Sequence, residues 1–320
     1  MKYYIAYDGG GSKLASILFD ENYKKINFAV SGSMNTGSTT GERVEEHTRE
    51  CCEKLLEGTD VKEIECVYGV FSWIVRDVTK KCLNVKKTDD RGGEGLLGNL
   101  SAFITGNSVI ALSGTGSVIF SNDPERPGEA GGYGSLINDE GSGYDMGRMA
   151  FAAAIRDFEK RAPHTLISDC ICKKFGVDDI PSAASKCFEI PGKSTVTAVA
   201  SAAECVGEAA RMGDEVAIGL LKKCGAVMAD QALGLIKRLE IPVETPVVIT
   251  GGHFKNDHRI VDEFTRIIKE YQPEREVVIP YFEPLIGAVM AHAYFHGVPF
   301  DDEFKAMMKE EYKDHRYIIK

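Results

Sequence analysis

The chain contains the same local pattern twice: an apolar strand, a glycine-rich turn and a second apolar strand. The first copy covers residues 3–19 around Gly9-Gly10-Gly11-Ser12-Lys13, and the second covers residues 108–120 around Ser113-Gly114-Thr115-Gly116-Ser117. Two apolar strands joined by a tight glycine-rich turn predict a β-hairpin. Because a mixture of predicted helices and strands follows each hairpin, the repeat predicts two related α/β domains.

Apolar periodicity along the rest of the chain supports this organisation. It predicts helices over 43–56, 256–271 and 284–296, a helix that ends at 102–105, strands over 65–71, 247–250 and 276–279, and a mostly helical stretch over 143–239. We place the domain boundary near residue 112. The predicted domains are therefore 1–112 and 113–320, the second with a helical insertion.

The charge balance excludes some classes of partner. The 320 residues carry a formal net charge of −10, and such an acidic surface repels nucleic acid and anionic membranes. We therefore expect neither as a partner. A small anionic ligand stays compatible with this charge, because backbone N–H groups can hold a phosphate.

The start of the chain and the cysteines favour a cytoplasmic protein. Met1-Lys2 leads directly into the first strand, which leaves no room for the apolar segment of a signal peptide, and no apolar run reaches membrane-spanning length. The nine cysteines are scattered and show no paired C-x-x-C spacing. This pattern predicts reduced thiols rather than a disulfide framework or a metal site.

Two common nucleotide motifs do not fit. The dinucleotide pattern G-x-G-x-x-G fails after Gly9, because its last glycine would fall on Leu14. A P-loop is suggested by Gly192-Lys193-Ser194, but its first glycine would fall on Cys187. We interpret that segment as a loop between helices.

Three glycine-rich turns instead resemble the nucleotide-binding motifs of the superfamily that contains actin, heat-shock chaperones and sugar kinases. Asp8-Gly9-Gly10-Gly11-Ser12-Lys13 resembles its first phosphate motif, Ser113-Gly114-Thr115-Gly116-Ser117 its second, and Thr250-Gly251-Gly252 its adenosine motif. The helix that begins Pro284-Leu285-Ile286-Gly287-Ala288 is similar to its second connecting segment. Each turn alone is weak evidence, but their order and spacing match the superfamily over nearly the whole chain.

A longer motif points to one family within this superfamily. Residues 131–143 read Gly-Gly-Tyr-Gly-Ser-Leu-Ile-Asn-Asp-Glu-Gly-Ser-Gly. They are similar to the G-G-W-G-x-x-x-G-D-E-G-S signature of N-acetylglucosamine kinases and the related BadF/BadG/BcrA/BcrD ATPases. The chain departs from the signature at Tyr133, where the family has tryptophan, and at Asn138, where it has glycine.

The resemblance implies an α/β fold of two ribonuclease-H-like, actin-like ATPase domains with an interdomain cleft that closes on ATP and a sugar, often in a homodimer. It implies that Asp8 holds Mg²⁺ and that Asn35, Tyr133 and Asp139 bind the amino sugar. It assigns the following residues to ATP: Gly10, Gly11, Ser12, Lys13, Gly114, Thr115, Gly116, Ser117, Gly251 and Gly252.

Structural alternatives exist for several of these residues. Asp8 at a strand end also suits a turn cap, and Asp139 with Glu140 suits the start of a helix. Asn35 is also typical of a turn, and Tyr133 is compatible with simple packing.

The sequence also departs from the family at the position of the catalytic base. The kinases of the family have a proton-accepting aspartate at the start of the helix before the second phosphate hairpin, and ungapped counting places it on Gly95. Glu94 is adjacent, and Asp90 lies in the preceding loop. Either carboxylate is a candidate for the base, whose loss lowers a rate by about 10²–10⁴.

We therefore expect an ATP-dependent kinase of an amino sugar, N-acetylglucosamine or a close relative. The alternative is an ATP-binding ATPase or sugar sensor without efficient kinase activity. The activator branch of the family uses closely grouped cysteines for an iron–sulfur cluster, and no such group is present in the sequence.

Overall fold

The structure is a computed structural model that describes residues 1–37, 39–189 and 194–320. Gly192 and Lys193 of the rejected P-loop lie outside these residues. The strands are, in chain order, β1 (Tyr3–Gly9), β2 (Leu14–Asp20), β3 (Lys25–Ser31), β4 (Ile64–Val70), β5 (Val85–Asp89), β6 (Val109–Ser113), β7 (Ser117–Ser121), β8 (Gly128–Gly131), β9 (Val247–Thr250) and β10 (Val277–Val278).

Helices connect and cover these strands. In chain order they are α1 (Gly41–Leu56), α2 (Trp73–Cys82), α3 (Gly93–Ser101), α4 (Gly143–Phe158), α5 (Leu166–Phe175), α6 (Ile180–Glu189), α7 (Thr195–Ser201), α8 (Ala203–Arg211), α9 (Glu215–Arg238), α10 (His258–Tyr271), α11 (Pro284–Phe295) and α12 (Asp302–Glu311). Within the described part of the chain, no helix has both the length and the apolar character needed to span a membrane.

The two sheets have the same topology. One has the strand order β3-β2-β1-β4-β5, and the other, from the equivalent edge, has the order β8-β7-β6-β9-β10. In each sheet the first three strands in sequence form an antiparallel meander. The fourth strand pairs in parallel with the first, and the fifth pairs in parallel with the fourth. The two related α/β domains that the repeated hairpin predicts are confirmed.

The chain returns to its first unit near the carboxyl terminus. One unit comprises Met1–Asn107 and Ile279–Tyr317, and the other comprises Ser108–Val278 and Ile318–Lys320. This division differs from the predicted domains 1–112 and 113–320, because α11 packs against β1, β4 and α3 of the first unit. The approach to α3 is close, since a Cβ on Gly287 would overlap the carbonyl oxygen of Leu97.

The first unit has a core on each face of its sheet. Alternate residues of a strand point to opposite faces, so Tyr4 and Ala6 belong to the core shared with α3 and α11, whereas Ile5 and Tyr7 belong to the core shared with α1 and α2. The second unit has a continuous core made largely by its helices and the inner strands β6 and β9.

Some elements differ from the sequence predictions. The helix expected to end at 102–105 ends at Ser101, since Phe103 adopts the left-handed conformation with a φ of 59°. The predictions did not include β3, α2, β5, β8 and α12. The four-residue strand β8 contains two glycines, which weaken a strand pattern.

Candidate functional site

The first glycine-rich turn lies at the carboxyl end of β1. Asp8 pairs in register with Val70 of the parallel strand β4. The N–H of Gly10 donates to the carbonyl oxygen of Lys13 at 2.9 Å and closes the turn. A Cβ on Gly10 would have no heavy atom within 4 Å, so this face of the backbone is open to a ligand. Ser12 and Lys13 are exposed, so the turn presents a carboxylate, open backbone and an amine together.

The loop after β3 brings Asn35 to the same edge of the sheet. The backbone N–H of Met34 donates to the carbonyl oxygen of Gly10 at 3.3 Å. Asn35 is exposed, and its Oδ1 accepts the N–H of Gly37 at 2.8 Å. The residue therefore forms the turn of the structural alternative, and its role in sugar binding stays a prediction.

Glu94 lies in the first turn of α3, where its carboxyl interacts with the charge of Asp8. Part of the side chain is exposed, but desolvation by the surrounding protein raises the pKa of Glu94, and the negative charge of Asp8 raises that pKa further. The helix begins after Gly92, which supplies no side-chain cap. A carboxyl group with a raised pKa beside a second carboxylate is an electrostatic pattern typical of proton-accepting residues.

The other positions considered for the base have different surroundings. Gly95, where ungapped counting places the aspartate of the family, is buried within α3. Asp90 follows β5 and pairs with Arg76, with 3.2 Å between Oδ2 and the guanidinium. Asp90 is therefore engaged by an arginine, whereas the pKa of Glu94 responds to Asp8.

Two serines of the second hairpin form hydrogen bonds with the glycine-rich motif of residues 131–143. Ser113 and Ser117 face each other at the ends of β6 and β7. The hydroxyl of Ser113 donates to the carbonyl oxygen of Gly141 at 2.7 Å, and that of Ser117 donates to the carbonyl oxygen of Glu140 at 2.8 Å. The two sequence motifs are therefore joined by direct hydrogen bonds and pack as one unit.

The start of α4 contacts the same hairpin. Ser142 caps the helix by accepting the N–H of Asp145 at 3.0 Å. The next residue, Gly143, donates its N–H to the carbonyl oxygen of Gly114 at 2.8 Å. A Cβ on Gly143 would lie 2.9 Å from that oxygen, so glycine is required for this approach. Helix α4 begins at Gly143, and the acidic residue of its first turn is Asp145. Asp139 and Glu140 precede the helix, so the helix-start alternative for them is wrong.

Asp139 lies against the turn of the second hairpin. Its Oδ2 atom is 3.1 Å from the position of a Cβ on Gly116. Desolvation raises the pKa of Asp139, while hydrogen bonding to the backbone of Gly134 and Ser117 favours its ionised form. Tyr133, which precedes Asp139 in the same motif, is 66 % exposed. The ring is therefore accessible to a ligand and is not a packing residue of its own unit.

The turn after β9 packs on the second hairpin. Gly251 has a φ of 97°, and a Cβ there would overlap the carbonyl oxygen of Ser113. The same oxygen accepts the N–H of His253 at 2.9 Å. Gly252 is exposed, with no heavy atom within 4 Å of a Cβ position. One glycine thus permits the packing, and the other leaves backbone open to a ligand.

Helix α9 supports the site through residues that the sequence analysis missed. Cys224 donates its thiol to the carbonyl oxygen of Gly141 at 3.2 Å, and Gln231 donates its amide to the carbonyl oxygen of Glu140 at 3.3 Å. Met228 lies between them and contacts Gly141. Their spacing places all three on one helix face, but it is also the spacing of ordinary core residues and gives no functional signal by itself.

Comparison with known proteins agrees with the motifs. The sequence profile of the BadF/BadG/BcrA/BcrD ATPase family matches residues 7–291. A relative from Clostridium acetobutylicum, an N-acetylmuramic acid/N-acetylglucosamine kinase, is 26% identical over 315 residues, which cover 91% of this chain and 98% of the relative.

Solved structures agree with the fold. A protein from Chromobacterium violaceum, provisionally assigned as an N-acetylglucosamine kinase, aligns with a TM-score of 0.64 at 20% identity, over 91% of this chain and 98% of its own. A ROK family glucokinase from Streptomyces griseus, in complex with glucose and AMPPNP, aligns with a TM-score of 0.58 at 16% identity. The alignment covers 90% of this chain and 97% of the glucokinase. The predicted fold class, two ribonuclease-H-like α/β domains, is confirmed.

Proposed function

Because the chain belongs to the BadF/BadG/BcrA/BcrD ATPase family, we propose that it transfers the γ-phosphoryl group of ATP to a hydroxyl group of an amino sugar, N-acetylglucosamine or a close relative. The relative from Clostridium acetobutylicum, named as a kinase of such sugars, supports this substrate class. The alignment spans almost the full length of both chains, so the proposal concerns the whole protein.

The open glycine-rich turns support ATP as the phosphoryl donor. The faces of Gly10 and Gly252 are free of neighbouring atoms, and closely spaced backbone N–H groups bind phosphate oxygens. In this proposal the phosphates lie along Gly10, Gly11, Ser12, Lys13, Gly114, Thr115, Gly116 and Ser117, and the adenosine lies at Gly251 and Gly252.

Asp8 is the proposed ligand of Mg²⁺. Asp8 lies near the carboxyl end of the buried strand β1, beside the open turn. A single carboxylate fits the ion, which in such sites keeps several waters and binds phosphate oxygens. Bound Mg²⁺ would neutralise charge on the phosphates.

The observation that carries the kinase proposal is the interaction between Glu94 and Asp8. The influence of the Asp8 charge on the pKa of Glu94 supports a role for Glu94 near the proposed metal ligand, where a base is needed. The sugar hydroxyl oxygen forms a bond to the γ-phosphorus, and the bond from that phosphorus to the β–γ bridging oxygen breaks. Glu94 takes the hydroxyl proton and ADP leaves. Positioning and charge stabilisation provide most of the catalysis in such a transfer.

Asn35, Tyr133 and Asp139 are the proposed sugar ligands. Amide and carboxylate groups suit sugar hydroxyls, and an exposed aromatic ring suits a sugar face. The expected homodimer rests on the resemblance alone, and sedimentation equilibrium at micromolar protein concentration tests it.

Coupled ADP release with a panel of amino sugars tests the function. We expect sugar-dependent turnover in the wild type and a loss of about 10²–10⁴ in kcat for Glu94→Gln, with both Kd values nearly unchanged. Asp90→Asn should have the smaller effect, since Asp90 is paired with Arg76. Gly95→Asp should not improve an enzyme that already has its base.

Two outcomes would contradict this assignment. Turnover that is untouched by Glu94→Gln and abolished by Asp90→Asn would transfer the role to Asp90. ATP hydrolysis without sugar dependence, together with a gain from Gly95→Asp, would favour an ATPase or sugar sensor, which the glycine at position 95 would then explain.

A further inference from the structure

Two side-chain amides of the second unit have oxygen atoms that accept no hydrogen bond. Oδ1 of Asn138 and Oε1 of Gln231 are both buried, and neither has a partner among the described residues. A buried acceptor that has lost its hydrogen bonds to water is destabilising unless another group replaces them. Two such oxygens in one region of the structure therefore point to a shared electropositive partner.

The hydrogen bonds of the two amides fix which atom of each is the oxygen. Nε2 of Gln231 donates to the carbonyl oxygen of Glu140 at 3.3 Å, and Nδ2 of Asn138 donates to the carboxylate of Glu140 at 3.3 Å. Rotation of either amide by half a turn would place its oxygen against an oxygen of Glu140, which is unfavourable. The partner of Oδ1 and Oε1 is therefore a hydrogen-bond donor or a cation.

Both oxygens border the space beside Gly131. This residue has a φ of 72°, and Oε1 of Gln231 is the described heavy atom nearest to the point that a Cβ on Gly131 would occupy. Oδ1 of Asn138 lies 3.8 Å from the same point, and apart from Gln231 and the chain neighbours of Gly131 no described heavy atom is closer. The glycine thus leaves a small gap that is lined by side-chain oxygen.

The charges around this gap favour a cation over a neutral donor. The carboxylate of Glu140 is hydrogen-bonded to the Asn138 amide, and the whole chain carries a formal net charge of −10, so cations are attracted. Neutral amide and carbonyl oxygens replace the hydration shell of K⁺. Mg²⁺ gives up its water reluctantly, and Ca²⁺ takes about six to eight oxygen ligands. The donor set therefore suits a monovalent ion best.

We propose that Asn138 and Gln231 bind a monovalent cation, K⁺, beside Gly131, and that the bound ion activates the enzyme. Asn138 stands where the family signature has glycine, so a chain with the signature residue would lack one of the two ligands. The ion-binding site stands independently of the proposed function, whereas the activation rests on it.

The activation follows from the position of the two ligands. Asp139, a proposed sugar ligand, lies between Asn138 and Glu140 in the chain, and Gln231 belongs to α9. An ion that is held by both amides fastens the segment around Asp139 to the helix. A ligand-binding residue that is already ordered loses less freedom when the sugar binds, so K⁺ should lower the KM for the sugar.

Thermal unfolding without ATP or sugar tests the ion site, in KCl and in tetramethylammonium chloride at equal ionic strength. At a K⁺ concentration of about ten times Kd, the wild type should unfold about 3 °C higher in KCl. Asn138→Gly, which introduces the residue of the family signature, should remove this difference. Asn138→Asp, which replaces the amide oxygen with a carboxylate, should retain the difference and reach it at a lower K⁺ concentration.

Asn84→Gly is the matched control. The Nδ2 atom of Asn84 also donates to a glutamate, Glu63, at 3.4 Å, and this variant should keep the difference of the wild type. Crystals grown in RbCl locate the ion directly, because Rb⁺ substitutes for K⁺ and scatters anomalously. We expect an anomalous peak beside Gly131 in the wild type and none there in Asn138→Gly.

Turnover tests the activation. K⁺ should lower the KM for the sugar by about fivefold in the wild type and leave it unchanged in Asn138→Gly. Equal unfolding temperatures in the two salts, or a difference that persists in Asn138→Gly, would overturn the ion site. A water in place of the anomalous peak would do the same. A thermal difference without any effect on KM would overturn the activation. If no sugar is phosphorylated, the proposed function fails, and unfolding and diffraction still decide the ion site.

Discussion

The Oδ2 atom of Asp139 lies 3.1 Å from the point that a Cβ atom on Gly116 would occupy. A proposed sugar ligand and a proposed phosphate loop therefore touch each other within the second unit. Hydrogen bonding of Asp139 to the backbone of Ser117 strengthens this connection. A bulky side chain at Gly116 should therefore also displace Asp139, whereas a substitution that keeps the shape of Asp139 should leave the turn at Gly116 in place.

Gly116→Val should abolish ATP binding. A branched side chain at this position would collide with Asp139 and fill the space beside the backbone that the phosphates need. Addition of ATP with Mg²⁺ at about 100 times Kd should stabilise the wild type by about 2.7 kcal/mol, and thermal unfolding should show no such gain in the variant. The control is Gly219→Ala in α9, where no atom lies within 4 Å of the new methyl group. An intact ATP shift in Gly116→Val would exclude this turn as the phosphate site.

Asp139→Asn should weaken sugar binding and leave ATP binding nearly unchanged. The substitution keeps the shape of the side chain but removes the charge that accepts from sugar hydroxyls. We expect a loss of about 10-fold to 100-fold in sugar affinity, measured by calorimetry with each ligand separately. Asp262→Asn, at an exposed carboxylate on α10 that pairs with His258, is the matched control. Equal losses of both ligands would instead assign Asp139 a role in folding.

The decrease of kcat/KM at acidic pH should reflect the protonation of Glu94. A base acts only when unprotonated, so kcat/KM falls as the pH drops through its pKa. Desolvation and Asp8 raise that pKa above the ordinary value of 4.5, so the decrease should occur at a higher pH than for an unperturbed glutamate. The residual activity of Glu94→Gln should lack this decrease. If kcat/KM decreased at the same acidic pH in the wild type and in Glu94→Gln, the titrating group would be another residue.

His292 should make the first unit less stable in mild acid. It is 8% exposed, its Nδ1 lies 3.2 Å from the hydroxyl of Tyr23, and its ring lies 4.3 Å from that of Tyr4. Desolvation lowers the pKa of His292 from 6.5 to about 4. The unfolded chain therefore binds the proton more readily, and stability is complete above about pH 6.5 and lost as the pH falls towards about 4.

Urea unfolding at pH 7 and pH 5 measures this effect. The full shift corresponds to about 3 kcal/mol. The interval from pH 7 to pH 5 should show about 2 kcal/mol of it, because the shift is complete only below about pH 4. His292→Phe keeps the aromatic packing but cannot titrate, so its stability should depend less on pH even if it is lower overall. His253, whose pKa is also lowered to about 4 by burial, titrates in both proteins and cancels in the comparison. An identical pH dependence in both proteins would contradict the assignment to His292.

The sequence alone determined the parts of this protein that are encoded locally. The repeated hairpin, the three glycine-rich turns and the 131–143 motif depend on residues that are neighbours in sequence, and a tight turn or a close backbone approach needs glycine wherever it occurs. These patterns were sufficient for the α/β class, for two related domains and for the family. They also made Asp139 a candidate sugar ligand, because the motif that contains it is contiguous.

Only the tertiary structure decided the features that join distant segments. The apolar pattern of α11 marks a buried helix but not the sheet that it covers, so the return of Ile279–Tyr317 to the first unit was not visible in the sequence. The same holds for Cys224 and Gln231, whose contacts with Gly141 and Glu140 join residues more than eighty positions apart.

The choice between the two candidate bases also required the tertiary structure. The sequence left Glu94 and Asp90 as equal candidates, because spacing along the chain does not report distance in space. The fold pairs Asp90 with Arg76 and exposes Glu94 to the charge of Asp8. Electrostatic interactions depend on distance and on the local dielectric environment, and both exist only once the strands and helices have packed.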